Sequence, residues 1–263
     1  MVSPTDRIYD LEQVRSAEAP YMAVHTVGYT YTLHRHHQAR SGDPRSGASG
    51  VVIAGDHNGT HIDALCHQAE NMVLCGGIQI DGRTQTPTGF GSLGAETIAP
   101  ILCRGVLLDV AGHRGLPVLP LETTVSRAEL EAVAAAQGTE IHSGDVVLVR
   151  TGAGSLWGSP ADYIRAAGVA AGASAWLADL AVRAVGADNI AWDLDSPAID
   201  PLTQTSLPGH VILLVRHRIH IIENLYLEDL ARDRVYDFTF ICVPPKLKGA
   251  TGAPVRPIAV VER

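Results

Sequence analysis

The sequence has few cysteines, and none of them are closely spaced. Cys66, Cys75, Cys103 and Cys242 contain no Cys-x-x-Cys pair, so neither a disulfide framework nor a thiolate zinc site is indicated. A reducing, cytoplasmic location is therefore expected. Residues 1–6 lack a basic region followed by an apolar one, and no apolar run is long enough to cross a bilayer. We expect neither a signal peptide nor a membrane partner.

Basic side chains are also too few for a nucleic-acid-binding surface. The chain has 20 Lys plus Arg against 28 Asp plus Glu, a formal net charge of −8. An acidic chain without a basic stripe does not favour nucleic acid or an anionic membrane as its partner. The 263 residues, 46% of them hydrophobic, can bury a sizeable core. A small-molecule substrate is the expected partner.

Aromatic residues make up only 5% of the chain, whereas 26 residues are glycine, which favours short strands and turns over a helical bundle. Helices are predicted over 126–138, where Ser126 and Glu129 form a capping box and Gly138 ends the helix, and also over 174–185 and 227–231. Strands outnumber helices without alternating strictly with them, which predicts an α/β or α+β sheet or barrel rather than a Rossmann sheet. Strands are predicted for apolar runs bounded by turn residues, namely 50–54, 105–111, 145–150, 189–193, 211–215, 219–222, 237–243 and 257–261.

One stretch concentrates groups that can bind a metal or move protons. It reads Asp-His-Asn-Gly-Thr-His-Ile-Asp-Ala-Leu-Cys-His and carries His57, His61, Asp63 and His67. Imidazole nitrogen combined with carboxylate oxygen suits Zn, Mn and Fe better than Ca or Mg. The Asn-Gly pair predicts a turn, and extended residues after it would point His61 and Asp63 to the same face. The spacing predicts a metal site rather than a set of hydrogen-bonded core histidines.

A second polar segment lies between apolar runs near residue 220. Its carboxylate, Glu223, follows the apolar Ile221 and Ile222 and is predicted to lie in or beside a core. An unpaired buried carboxylate is costly. Either a metal ion or a salt bridge with Arg216 or Arg218 would remove that cost, and the residues themselves leave both interpretations open.

Two segments before residue 51 allow a functional and a plain interpretation. Residues 34–37, His-Arg-His-His, could line the mouth of a pocket or lie on a solvated loop. Residues 40–50, rich in glycine and serine, could form a mobile lid or a surface connection.

Several segments together resemble the metal-dependent cyclase-like hydrolases, a family that includes bacterial kynurenine formamidase, isatin hydrolase and trans-dienelactone hydrolase. The first stretch resembles the family's His-x-Gly-Thr-His-x-Asp-x₃-His motif. The resemblance runs from about residue 50 to the C-terminus. The other similar segments are Gly-Asp-x-Val-Leu-x-Arg-Thr-Gly at 144–152, Asp-x-Pro-x-x-Asp at 195–200, a distal His210 with Glu-Asn-Leu at 223–225, and Gly-x-Thr-Gly-x-Pro-x-Arg-Pro at 249–257.

The resemblance implies an α/β (α+β) fold with a mixed sheet or barrel-like core and a few flanking helices, of the swivelling β/β/α type. Residues 1–263 would form one domain, with 1–50 as a variable N-terminal segment. The family tends to form dimers or tetramers, so a homo-oligomer is expected.

The resemblance also assigns roles to the site residues. His57, His61 and Asp63 would bind one divalent metal, Zn(II) or Mn(II), and His67 would act as general base and acid. His210 and Glu223 would complete that metal's shell or, with Asp63 bridging, hold a second ion.

These groups predict a metal-dependent hydrolase that uses a metal-activated water to cleave a C–N or C–O bond of a small amide, formamide, cyclic amide or lactone. One alternative is a non-haem Fe(II) oxygenase, because His61, Asp63 and His210 would form a two-His-one-carboxylate triad. That alternative leaves His57 and His67 unexplained. The second alternative is a non-catalytic metal- or ligand-binding module, in which a base such as His67 would be superfluous.

Overall fold

The structure is a computed structural model that describes residues 5–25 and 27–262, where strands outnumber helices. None of the helices in these ranges is both long and apolar enough to cross a membrane. The strands are β1 Arg7–Asp10, β2 Thr30–Arg35, β3 Ser49–Ile53, β4 His61–Asp63, β5 Val73–Leu74, β6 Ile78–Gln79, β7 Gln85–Thr86, β8 Gly89–Phe90, β9 Ile101–Asp109, β10 Thr124–Val125, β11 Val146–Arg150, β12 Gly168–Val169, β13 Ala184–Ala187, β14 His220–Glu223, β15 Asp237–Cys242, β16 Gly252–Pro254 and β17 Ile258–Val261. The α-helices are α1 Val110–His113, α2 Arg127–Gln137, α3 Pro160–Ile164, α4 Ala171–Asp179, α5 Pro208–His210 and α6 Glu228–Arg232. A π-helix, Val211–Arg216, directly follows α5, and 3₁₀ turns lie at Cys75–Gly77, Ala95–Thr97 and Ala153–Leu156.

Nine strands form one mixed sheet in the order β1-β17-β15-β9-β11-β13-β14-β4-β16. The four strands β9, β11, β13 and β14 run parallel at its centre, and the strands on either side pair antiparallel. This arrangement confirms the predicted α/β class with a mixed sheet and few helices. The assignment of one domain with a variable segment over residues 1–50 stays a prediction.

The central strands are buried on both faces of the sheet. In β11, Val147 and Val149 pack into one apolar cluster, whereas Val146 and Leu148 pack into the other, as the alternation of side chains along a strand requires. Because both faces of the sheet are covered by apolar clusters, the sequences of these parallel strands are nearly continuous apolar runs. That property is what made β9, β11 and β14 predictable.

The first predicted helix is confirmed together with both of its caps. The Ser126 hydroxyl oxygen accepts a hydrogen bond from the Glu129 backbone N–H at 3.3 Å, which satisfies one of the free donors of the first turn. Gly138 ends the helix with a φ of 66°, a left-handed conformation that glycine adopts without a steric penalty.

Two other predicted elements are wrong, and a third is only partly right. Residues 211–215, predicted as a strand, form the π-helix Val211–Arg216, because a short apolar run does not distinguish a buried strand from a buried helix. The helix predicted over 174–185 ends at Asp179, and Ala184–Ala187 forms the central strand β13 instead. Residues 189–193, predicted as a strand, form bends.

Strands β2 and β3 form a separate antiparallel hairpin, which we call the hairpin arm (residues 30–53). All six residues of β2 are exposed, as are four of the five in β3. The His-Arg-His-His segment at 34–37 lies on this arm and is exposed. Residues 40–48 belong to the connection between its two strands, which supports the interpretation as a surface connection.

Candidate metal centre

The histidine-rich stretch turns sharply and then enters the sheet. Gly59 has a φ of 67°, and Arg15 packs against it while donating to the backbone carbonyls on either side. In the following strand β4, His61 and Asp63 share one face, whereas Ile62 points into the apolar core. The predicted turn and the predicted common face are therefore both found.

Strand β14 brings Glu223 to this face. Glu223 lies directly opposite His61 in the antiparallel pair of β14 and β4, and its Oε2 is 3.3 Å from His61 Nε2. His210 lies at the end of α5, with its Nε2 3.3 Å from Glu223 Oε1 and 3.6 Å from Asp63 Oδ2. Residues far apart in the chain thus converge on one point.

The alternative partner for Glu223, an arginine, is not realised. Arg216 pairs with Glu70 at the surface, and Arg218 is exposed. The ion-pair contacts of Glu223 in the described chain are with His61 and His210. The salt-bridge interpretation is therefore wrong for both arginines, and the carboxylate faces imidazoles instead.

His57 completes the cluster, and its outer nitrogen is held by Thr251 and, through Thr251, by Asp56, neither of which was predicted as a site residue. Its Nδ1 lies 3.0 Å from Asp63 Oδ1, and its Nε2 lies 2.8 Å from Thr251 Oγ1. Because the Thr251 hydroxyl donates to Asp56 Oδ2 at 2.8 Å, it accepts from His57 Nε2–H. The Nδ1 lone pair of His57 is then directed at Asp63. Only the similarity of residues 249–257 to a family segment drew attention to this region in advance.

His67 and His25 both lie beside the His57 ring, with their own ring centres 6.2 Å apart. The His67 ring centre is 4.0 Å from that of His57 and 5.8 Å from that of His210. The His25 ring stacks on His57 at 4.8 Å with an interplanar angle of 23°. His25 belongs to the N-terminal segment, where no motif pointed to it.

A buried hydrogen-bond network stabilises the turn at Gly59. Asn224 donates from Nδ2 to the Gly59 carbonyl at 3.0 Å, and its Oδ1 accepts from the Tyr163 hydroxyl at 2.9 Å. The Thr60 hydroxyl donates to the Asn224 carbonyl at 2.6 Å. His61 Nδ1 is 2.8 Å from the Gly59 carbonyl, so this nitrogen donates and Nε2 faces Asp63 and Glu223. These hydrogen bonds fix the backbone turn and the orientation of the His61 ring.

The electrostatics of the cluster favour a cation. Burial opposes a charge on His61, yet Asp63 and Glu223 raise its pKa to about 10. Burial also acts on Asp63 to raise its pKa, but the neighbouring histidines hold that pKa well below its usual range. By contrast, burial lowers the pKa of His67 to about 3, so its imidazole is neutral at pH 7. The carboxylates are thus ionised and draw positive charge toward themselves.

The donor atoms fit a divalent metal. Among the described residues, the buried atoms without a hydrogen-bond partner include His61 Nε2, both Asp63 carboxylate oxygens and Glu223 Oε1. Buried polar groups are rarely left unsatisfied, and these atoms face one another. Two groups have donor atoms within 4.8 Å of one another, His57–Asp63–His67 and His61–Asp63–Glu223, and Asp63 belongs to both. Nitrogen and oxygen donors in this combination suit Zn(II) or Mn(II).

Known proteins resemble this chain in both sequence and fold. The model of the family named Cyclase matches residues 9–194. The kynurenine formamidase of Polaromonas naphthalenivorans (strain CJ2) is 40% identical over 65 residues, which cover 25% of this chain and only 27% of that relative. A crystal structure of a novel cyclase superposes with a TM-score of 0.85 at 26% identity, covering 98% of this chain and 88% of the other. Isatin hydrolase A from Ralstonia solanacearum shares the fold, with a TM-score of 0.76 at 22% identity, covering 98% and 92%.

Proposed function

Because this chain belongs to the Cyclase family, we propose that it is a metal-dependent hydrolase that cleaves a C–N or C–O bond of a small amide, formamide, cyclic amide or lactone. The observation that carries the proposal is the convergence of His57, His61, Asp63, His210 and Glu223, all buried, with several donor atoms lacking any other partner. The names of the relatives, kynurenine formamidase and isatin hydrolase, support hydrolysis as the reaction class.

These five residues would hold one or two ions of Zn(II) or Mn(II). When bound, such an ion supplies Lewis-acid activation of water and of the substrate carbonyl. The chain's own contribution is to fix the donors. His61 Nδ1 is tied to the Gly59 carbonyl and His57 Nε2 to Thr251, so each ring presents its other nitrogen to the site.

His67 is the proposed proton carrier. Its ring lies beside His57 and His210, and Gln68 Nε2 is 3.3 Å from its Nε2. A neutral imidazole at this position would take a proton from the attacking water and return it to the leaving nitrogen or oxygen. Cys66, the nearest thiol in the motif, is buried, and burial raises its pKa to about 12, so a thiolate nucleophile is not available at neutral pH.

The proposal predicts a specific metal content and an oxygen-independent reaction. Purified protein should carry about one or two equivalents of zinc or manganese. Under nitrogen it should hydrolyse at least one of N-formylkynurenine, isatin and a dienelactone, and a chelator should abolish that activity until metal is restored. Metal analysis and anaerobic assays measure both properties.

Each of the two alternative functions predicts a different result. Iron content with activity only in oxygen would favour an oxygenase built on His61, Asp63 and His210. Bound metal without hydrolysis of any of the three compounds would favour a binding module. Protein that holds no metal after reconstitution would overturn the proposal.

We also propose that the protein works as a homo-oligomer, a dimer or tetramer, whose copies contact each other through the hairpin arm. An isolated two-stranded hairpin is marginally stable in water. The arm nevertheless exposes apolar side chains along both strands, with Tyr31 52%, Val51 48%, Val52 58% and Ile53 56% exposed. A second copy of the chain would cover this surface.

Charge also favours a second copy as the occupant. The arm carries Arg35, Arg40 and Arg45 against one aspartate, Asp43, whereas the whole chain has a net charge of −8. The three arginines, together with His34, line a cavity of about 360 Å³. The rest of the chain is acidic, so the arm is complementary to the surface of another copy.

The free cysteines are consistent with the proposed cytoplasmic location.

The oligomer proposal predicts that a charge on the arm separates the copies. By light scattering, wild-type protein should have a mass of two or four times the 27.8 kDa chain. Val52→Glu should shift it to the single-chain mass, because a buried unpaired carboxylate is costly. Val243→Glu is the matched control, since Val243 is 64% exposed outside the arm. A wild-type monomer would contradict the oligomer, and an unchanged mass for Val52→Glu would contradict the role of the arm.

A further inference from the structure

A buried carboxylate outside the metal-binding set controls the orientation of His210. Asp193 is only 2% exposed. Its Oδ1 accepts a hydrogen bond from the Gly209 backbone N–H at 2.7 Å, and its Oδ2 accepts from the His210 backbone N–H at 3.0 Å. The same Oδ2 lies 2.8 Å from His210 Nδ1. One side chain therefore holds both the backbone and the ring of His210.

The segment that carries Asp193 is itself fixed. Trp192 adopts a φ of 48°, its indole N–H donates to the Ser174 hydroxyl at 3.0 Å, and its carbonyl accepts from Asn189 Nδ2 at 3.0 Å. Gly209 packs so closely that a Cβ there would lie 2.6 Å from Trp192 Cδ1 and 2.8 Å from Asp193 Oδ1. The carboxylate is therefore held against His210 from two sides.

We infer that Asp193 is a positioning residue for the metal centre, which keeps the proton of His210 on Nδ1 and presents the Nε2 lone pair to Asp63 and Glu223. Nε2 lies 3.6 Å from Asp63 Oδ2 and 3.3 Å from Glu223 Oε1, where a shared cation would be bound. A carboxylate on the far nitrogen of a ligating histidine fixes its tautomer and increases its basicity. This inference rests on the proposed function, because it requires that His210 binds metal.

The test is a cobalt(II) titration of Asp193→Asn. Asparagine keeps the shape but has one oxygen instead of two, so its NH₂ must face either Gly209 N–H or His210. We expect cobalt to bind about 10- to 100-fold more weakly than in wild type and the absorption bands of bound cobalt to shift. Asp195→Asn, an exposed carboxylate two residues along the chain, is the control and should bind as wild type does.

A double variant separates positioning from a general structural effect. In a His210→Ala background, Asp193→Asn should change cobalt affinity by less than about twofold, because the residue through which Asp193 acts is gone. Equal weakening in both backgrounds would overturn the inference, as would wild-type affinity of the single variant. If wild-type protein binds no cobalt, it is the proposed function that fails.

A measurement on the unaltered protein keeps the inference testable if Asp193→Asn does not fold. In zinc-loaded wild type, long-range ¹H–¹⁵N NMR spectra should show His210 protonated on Nδ1, with Nε2 bearing no proton. Observation of the Nε2–H tautomer would overturn the inference.

Discussion

Asp63→Asn protein will retain no divalent metal after gel filtration, and its kcat/KM for hydrolysis will fall by about 10³-fold or more, since Lewis-acid activation contributes several kcal/mol to the rate. Asp63 is fully buried, with Oδ1 3.0 Å from His57 Nδ1 and 3.5 Å from His61 Nε2. Its other oxygen faces His210 at 3.6 Å. An asparagine offers one neutral oxygen to the same neighbours and cannot balance a divalent charge.

Elemental analysis and anaerobic kinetics measure this effect. Asp162→Asn, which removes one carboxylate from an exposed position, should retain the wild-type metal content and rate. If Asp63→Asn kept its full metal complement, this carboxylate would not be a ligand and the proposed centre would be wrong.

Measuring the metal content of further variants shows whether the site binds one ion or two. Asp63 belongs to both potential donor groups, whereas Glu223 belongs to one and His57 to the other. If two ions are bound, Glu223→Gln and His57→Gln should each lose one equivalent while Asp63→Asn loses both. If one ion is bound, all three substitutions should remove the same single equivalent.

Local sequence was sufficient for the first half of the site. The Asn-Gly pair predicted a turn and strand alternation predicted a common face for His61 and Asp63, and the structure has both. These features depend on neighbouring residues and on backbone geometry. No long-range information is needed to derive them.

The second half of the site depends on contacts across the fold. Glu223 meets His61 only because β14 pairs with β4, and the sequence itself left a salt bridge as an equal alternative. Thr251 holds His57 across 194 positions, and Asp193 holds His210 across 17. Hydrogen bonds of this kind leave no periodic pattern in the sequence, so resemblance to a family indicated part of the set and the structure supplied the rest.

The errors in secondary structure have a related cause. The helix predicted over 174–185 from the spacing of its apolar residues extends into Ala184–Ala187, which is the strand β13. At Gly186 an added Cβ would lie 2.7 Å from Leu225 Cδ1 and 2.9 Å from Leu148 Cδ2. Small residues are required there by packing between neighbouring strands, and tertiary packing overrides local propensity.

His67→Gln should separate catalysis from metal binding. We expect the variant to keep its metal while kcat falls by about 10²- to 10⁴-fold, the usual contribution of a general acid–base group. Glutamine retains a polar side chain of similar length but cannot carry the proton between water and the leaving group. His142→Gln, which alters an exposed histidine with 58% side-chain exposure, should leave kcat unchanged.

The geometry also allows His67 to bind metal, and that role predicts a different result for His67→Gln. His67 also lies within one of the two donor groups, together with His57 and Asp63, so it is close enough to be a ligand. If it is a ligand, His67→Gln will lose metal in parallel with activity, and added metal will restore part of both. If it is the proton carrier, metal content will be unchanged, and the loss of rate will be smaller for esters whose leaving group has a low pKa, because such a group departs without needing a proton. Metal content and leaving-group dependence, measured on the same preparation, therefore assign the role of His67.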